Sequence, residues 1–151
     1  MPEMKGFDEI SAEDKERLTL TGINTENMEG RSGSFLLVND HVYHAGSAAE
    51  GIETLMIEQA LEKYEWLKDY FWNIVPADKD EYTKYVAERP QRGYVIIAHK
   101  GAKATFPLQS CMFLQGDTIQ AVHNIVIAEE GSEIHLIAGC ASSMDTKVGA
   151  H

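Results

Sequence analysis

Two thiols and six imidazoles are the side chains of this 151-residue chain with most chemistry to offer. Cys140 follows an apolar run and Gly139, and its neighbours Ala141, Ser142 and Ser143 are small. A thiolate at such an open turn can be approached by another protein's sulfur, and the thiolate is the form that attacks sulfur or binds soft metals. Cys111 alternates with Phe113 inside an apolar run and reads as a small core residue. His123 and His135 lie in apolar segments, in phase with Ile125 and Ile137. If neighbouring strands stack, both imidazoles and Cys140 would converge on a donor set suited to iron, zinc or copper. A second group is His41 and His44 with Glu50, an H-x-x-H followed six residues on by a carboxylate, most simply read as solvated loop side chains.

Other chemistries find no support. Gly30-Arg31-Ser32-Gly33 lacks the lysine and the strand-to-helix setting of a phosphate loop. Neither a nucleophile elbow nor a paired-carboxylate constellation is visible, and Glu129-Glu130-Gly131 reads as a charged turn between strands. The cysteines stand 29 positions apart, too few for a disulfide framework and the wrong spacing for a zinc ribbon. Thirteen Lys and Arg face 24 Asp and Glu, a net charge of −11, which disfavours generic nucleic-acid binding because counterion release needs clustered cations. No stretch approaches the roughly 18 apolar residues of a membrane helix, and Met1 to Lys5 have no apolar core of a secretory signal, so a cytoplasmic location is expected.

The elements that would position these groups change character near Gly93. Residues 1–93 hold 19 of the 24 carboxylates and 10 of the 13 cations. Ile52, Leu55, Met56, Gln59, Ala60, Lys63 and Tyr64 recur at spacings of three and four, which predicts an amphipathic helix from Ile52 to Trp66. An aromatic segment from Lys68 to Val75 stops at Pro76, and Asp78 is placed to cap a helix running to about Glu88. Ser11 to Arg17 suits a short acidic helix, Gly22 to Gly33 a loop, and Ser34 to Tyr43 one strand. Beyond Gly93 the period becomes two, with short strands expected at Tyr94–Ala98, Cys111–Leu114, Ile119–Ala121, His123–Ala128 and Ile134–Ala138. Val95-Ile96-Ile97 and Ile125-Val126-Ile127 are apolar at both parities and should be covered on both faces. A sandwich, a barrel or a β-solenoid would each serve.

The closing stretch from Cys140 to His151 has no capping helix, so the chain is expected to be a fragment of a longer one or to be covered there by another subunit. His123 to Cys140, HNIVIAEEGSEIHLIAGC, resembles the core of the SufB/SufD family of iron–sulfur cluster assembly proteins, in which an acidic pair and Gly precede a strand running into Gly-Cys. Tyr70 to Ala87 resembles the segment before that core, and Gly93 to Cys111 its entry strands. The likeness covers roughly residues 40–151.

This resemblance implies an α+β chain: an α-rich region over 1–93, then the first turns of a right-handed parallel β-helix, a β-solenoid, over 94–151. It implies an assembly scaffold rather than an enzyme, with Cys140 at the position where SufB-type members accept sulfur and an iron–sulfur cluster held transiently in the full-length complex. Expected partners are a SufB- or SufD-type subunit or a second copy, a sulfur-donor protein, and a SufC-type ATPase whose contact region lies beyond His151. The family commonly carries a carboxylate two residues before the thiol, where this chain has Ala138, and losing that charge favours the thiolate. The alternatives are a SufD-like structural subunit in which Cys140 only packs, and a metal protein resembling the cupins that uses His41, His44 and Glu50.

Overall fold

Strands that are apolar at every position need cover on both faces, and two strands of this chain receive it. The computed structural model describes residues 4–26, 29–146 and 149–150. Its first and fourth strands, β1 (Gly33–Val38) and β4 (Tyr94–Ala98), are buried throughout. Between them lie β2 (His41–Ser47), β3 (Ile52–Met56) and two helices, α2 (Ile57–Lys63) and α3 (Glu81–Ala87), after an N-terminal helix α1 (Ala12–Leu20). Then follow β5 (Leu108–Leu114), β6 (Thr118–Ile119), β7 (Ile125–Ala128), β8 (Leu136–Ser142) and β9 (Gly149–Ala150).

One sheet runs β2-β1-β5-β8 and a second β3-β4-β7, while β6 pairs with β9. Phe35 and Leu37 of β1, Ile52 and Met56 of β3, Tyr94 and Ile96 of β4, and Leu108 and Met112 of β5 form one core between the two sheets. The opposite parity of β1 and β5, with Leu36, Val38, Cys111 and Phe113, packs on Ile10, Leu18 and Ile23 around α1. The opposite parity of β4, Val95 and Ile97, packs on Ile57, Ala60 and Leu67 around α2. The layers are therefore helix, sheet, sheet, helix, and each large apolar side chain fully buried among them stabilises by about 1.5–3 kcal/mol.

Local signals start and stop the elements. Ser11 caps α1 by accepting from the Asp14 N–H, and Asp80 caps α3 by accepting from Tyr82 and Thr83 while Thr83 Oγ1 accepts from the Asp80 N–H. Asn39 takes the left-handed conformation (φ 53°) in the two-residue turn between β1 and β2. Gly93 (φ 116°) enters β4 so close to β7 that a Cβ there would lie 2.4 Å from the His123 carbonyl oxygen.

This architecture corrects the expected one. The described residues form a small α+β domain with mixed sheets: β1 is antiparallel to β2 and parallel to β5, and β3 is antiparallel to β4, which is parallel to β7. An α-rich region followed by a right-handed parallel β-helix does not describe such sheets, since three strands precede Gly93 and two of them, β1 and β3, pair with β5 and β4 beyond it. The physical reason is that cover for the two-faced strands comes from α1, α2 and the facing sheet.

Two local readings change with it. The helix expected from Ile52 is a strand as far as Met56, because Ile52, Thr54 and Met56 bury one face and the backbone pairs with β4. The single strand expected over 34–43 is the hairpin of β1 and β2. Val95 to Ile97 are covered on both faces as expected, but Val126 is exposed because β7 is an edge strand. Readings of the first residues and of the closing stretch that involve residues 1–3, 147–148 and 151 lie outside the described residues.

Candidate functional site

The two thiols occupy consecutive register positions with opposite surroundings. Cys111 pairs with Gly139 and points its parity at α1, while Cys140 pairs with Met112, a residue of the core between the sheets. Cys111 is buried, and loss of hydration there, with the nearby Cys140 adding to it, pushes its thiol up to about 12. It is a packing residue, inert as a nucleophile at neutral pH. Cys140 is exposed. Its strand β8 is the last in its sheet, so no further strand among the described residues covers it. Cys140 lies within β8 rather than at a turn after it, and edge position is what leaves it accessible. The Arg17 guanidinium donates to the Ser142 carbonyl at 3.1 Å and ties α1 to the end of the same strand.

The imidazoles do not join it. Among the described residues no three His, Cys, Asp or Glu side chains gather into a group able to hold a metal ion, so His123, His135 and Cys140 do not converge. His135 is exposed and contributes its carbonyl to the Leu108 N–H at 2.7 Å. His123 stacks on Phe71 (centroids 4.9 Å apart) and lies against Trp72 (4.1 Å), where burial lowers its pKa. His41 and His44 lie on β2 rather than in a loop. His41 Nδ1 meets Asp40 at 2.6 Å, while His44 stacks on Phe7, its pKa lowered by burial and by the Arg31 charge. Glu50 stands in the turn before β3, and the cupin-like set is not assembled.

Spacing gave no hint of a polar cluster centred on Glu53. Glu53 of β3 accepts from Lys63 at the end of α2, from the Tyr64 hydroxyl and from His99 Nε2 (2.7 Å) just past β4. The other ring nitrogen of His99, Nδ1, lies 3.5 Å from the Glu129 carboxylate. Partial burial works against the Glu53 charge, but hydrogen bonds from Lys63, Tyr64 and His99 outweigh it and hold the carboxyl at about 2. The bond to Glu53, against a smaller effect of burial, raises the His99 pKa, and Glu129 adds to the rise. The cluster clamps α2 to both strands of the β3–β4 pair. Its other members lie 10 to 76 residues from Glu53, so only strand pairing could have revealed it.

No family model matches the chain. Among curated proteins it is 44% identical over 142 residues to an iron–sulfur cluster assembly SufBD family protein of Archaeoglobus fulgidus, a match covering 90% of this chain and 38% of the relative. A protein of the same description from Methanothermobacter thermautotrophicus is 42% identical over 148 residues, covering 95% and 36%. The chain belongs to the SufBD family. A Pyrococcus horikoshii protein of that family is 27% identical over 98% of the chain. The chain spans little more than a third of these relatives' length. Within this SufBD-family chain, the segment that carried the resemblance, His123 to Cys140, falls on β7, the Glu129–Gly131 turn and β8. No helix among the described residues is long and apolar enough to cross a membrane.

Proposed function

We propose that the chain acts in iron–sulfur cluster assembly as the sulfur-accepting part of a scaffold, with Cys140 as the acceptor. The observation that supports this reading most is the contrast between the two thiols of a SufBD-family chain: Cys140 is exposed on an edge strand, and Cys111 is buried with its thiolate suppressed. The Cys140 thiolate attacks the outer sulfur of a donor persulfide. A new S–S bond forms at Cys140, the donor's S–S bond breaks, and the donor cysteine leaves as thiolate, with no net change of oxidation state. The cluster is cargo, built from this sulfur and from iron, and its remaining thiolate ligands must come from outside these residues because Cys111 faces away. The chain is a scaffold in this reading, working with a SufB- or SufD-type partner, a SufC-type ATPase and a sulfur-donor protein.

The test is to incubate the reduced chain with a small-molecule persulfide donor and count the sulfur atoms added by mass spectrometry of the intact protein and of its peptides. Wild type should gain sulfur on the Cys140 peptide, and Cys140→Ser should gain none, with Cys111→Ser as the matched control that still accepts. Equal acceptance by Cys140→Ser and wild type would refute the assignment. A purely structural subunit would instead gain no sulfur at Cys140 despite the exposure of that thiol.

A further inference from the structure

The turns that follow β4 and β7 lie one on the other. Val95 pairs with Ile125 and Ala98 with Ala128, an offset of 30 residues, and the same offset carries on past both strands. The Glu129 N–H donates to the Ala98 carbonyl at 2.9 Å and the Gly101 N–H to the Glu130 carbonyl at 3.0 Å, while Lys103 and Glu133 form a parallel bridge. Gly101 and Gly131 both take the left-handed conformation (φ 73° and 72°), so the two backbones bend alike. This register sets each basic side chain of residues 99–103 against a carboxylate of residues 129–133. His99 Nδ1 is 3.5 Å from Glu129, Lys100 Nζ 2.8 Å from Glu130 and Lys103 Nζ 3.7 Å from Glu133.

The three pairs answer differently to a proton. A lysine ammonium stays charged through the neutral range, whereas an imidazole changes charge between about pH 5 and 8. His99 also differs in meeting carboxylates with both ring nitrogens, Nε2 on Glu53 of β3 at 2.7 Å and Nδ1 on Glu129. The imidazolium has two N–H groups and serves both, but the neutral ring has one. The shorter contact keeps it, so deprotonation leaves an Nδ1 lone pair facing the Glu129 carboxylate. Glu53 still has Lys63 and the Tyr64 hydroxyl, whereas among the described residues Glu129 keeps only the Lys100 N–H, at 2.8 Å. The charged groups among the described residues that face the ring are Glu53 from β3, with Lys63 and Tyr64 from the end of α2 behind it, and Glu129 from the turn after β7. Lys100, next in the chain, turns to Glu130. Glu53 first and then Glu129 raise the ring's pKa from its ordinary 6.5, with burial opposing them, which moves the change of charge upward toward neutral pH.

We propose that His99 is a proton-operated latch: as the imidazolium it ties the turn after β7 to β3 and to the turn after β4, and release of its proton to water frees the Glu129 side chain and loosens the turn that leads into β8. Four backbone hydrogen bonds between the turns remain, from Glu129 to Ala98, Gly101 to Glu130, Glu133 to Ala102 and Ala104 to Glu133, so the turn loosens without the strands parting. The latch does not depend on sulfur acceptance at Cys140.

Nuclear magnetic resonance of the 151-residue chain tests it by following the His99 ring from about pH 5.5 to 9. Amide exchange, corrected for its intrinsic dependence on pH, gives the protection of the Gly101 and Glu133 N–H groups over the same range. The wild-type ring should titrate above 6.5, and protection at both amides should fall several-fold as the pH crosses the ring's own midpoint. Glu129→Gln should weaken the ring's hold on its proton about threefold, and His99→Gln should leave the protection level across the range. Both side chains are partly exposed, so circular dichroism should show both variants folded, and the wild-type titration decides the matter without either. Protection that holds level through the wild-type ring's titration, a fall that persists in His99→Gln, or a midpoint that Glu129→Gln leaves unmoved would each overturn the proposal.

Discussion

Lowering the pH should unfasten the Glu53 cluster before it disturbs the core. The Glu53 carboxyl is held at about 2 against an ordinary value of 4.5, and at 1.36 kcal/mol per pKa unit the difference corresponds to about 3 kcal/mol in favour of the folded state. That figure is an upper bound. Glu53 itself is only 22% exposed, but the Lys63 and His99 side chains that meet it stand 52% and 37% in water, and screening reduces the gain to about 1–2 kcal/mol. The folded value is depressed, so the contribution is complete above the unfolded value of 4.5 and is lost as the pH falls from there toward about 2. The perturbation that isolates it is Glu53→Gln, which keeps the shape and removes the charge. Urea unfolding of wild type and variant should differ by about 1–2 kcal/mol at pH 6, and the two curves should draw together by pH 2.5. A gap of the same size at pH 6 and pH 2.5 would show that Glu53 stabilises by packing or neutral hydrogen bonding, and the charge argument would fail. His99 adds the opposite trend at the other end of the scale. Its pKa is raised by the bond to Glu53, so its share is present below about 6.5 and fades as the pH rises through the raised folded value.

Three other outcomes follow from the geometry. A thiol reagent added to the native chain should modify one cysteine rapidly, Cys140, and the second only after urea is added, with peptide mapping placing the slow site at Cys111; rapid labelling of both would contradict the burial of Cys111. Gly93→Ala should cost about 3 kcal/mol in urea unfolding, because its Cβ would meet the His123 carbonyl and its φ of 116° strains any L side chain; a loss under about 1 kcal/mol would mean that β4 and β7 part easily. Asp80→Ala removes the cap of α3 and should speed amide exchange there, at a local cost of about 1 kcal/mol, while leaving global unfolding nearly unchanged because α3 buries nothing; a drop in global stability of that size would show α3 to be part of the cooperative core.

The sequence carried some of this and hid the rest for identifiable reasons. Apolar residues at both parities of Val95–Ile97 announced a strand covered on two faces, and Cys111 in phase with Phe113 announced a packing thiol, since burial follows directly from such patterns. What covers those strands is a matter of long-range pairing, and there the pattern was ambiguous. Ile52, Leu55 and Met56 fit a helical stripe, but Ile52, Thr54 and Met56 fit an alternating strand equally well, and β4 decided between them by supplying hydrogen bonds and a core that an isolated helix could not match. Misplacing those five residues had a chemical consequence. With Ile52 to Met56 read as helix, the meeting of Glu53 with His99, Lys63 and Tyr64 could not be foreseen, because it exists only when β3 lies antiparallel to β4. Cys140 is the converse case. Its strand and its partner Met112 give it the parity of a core residue, and it is exposed because no further strand among the described residues pairs with β8. Its accessibility is therefore a property of the sheet order rather than of its small neighbours, so placing the same Gly-Cys sequence on an interior strand such as β5 would suppress the thiolate as burial does at Cys111.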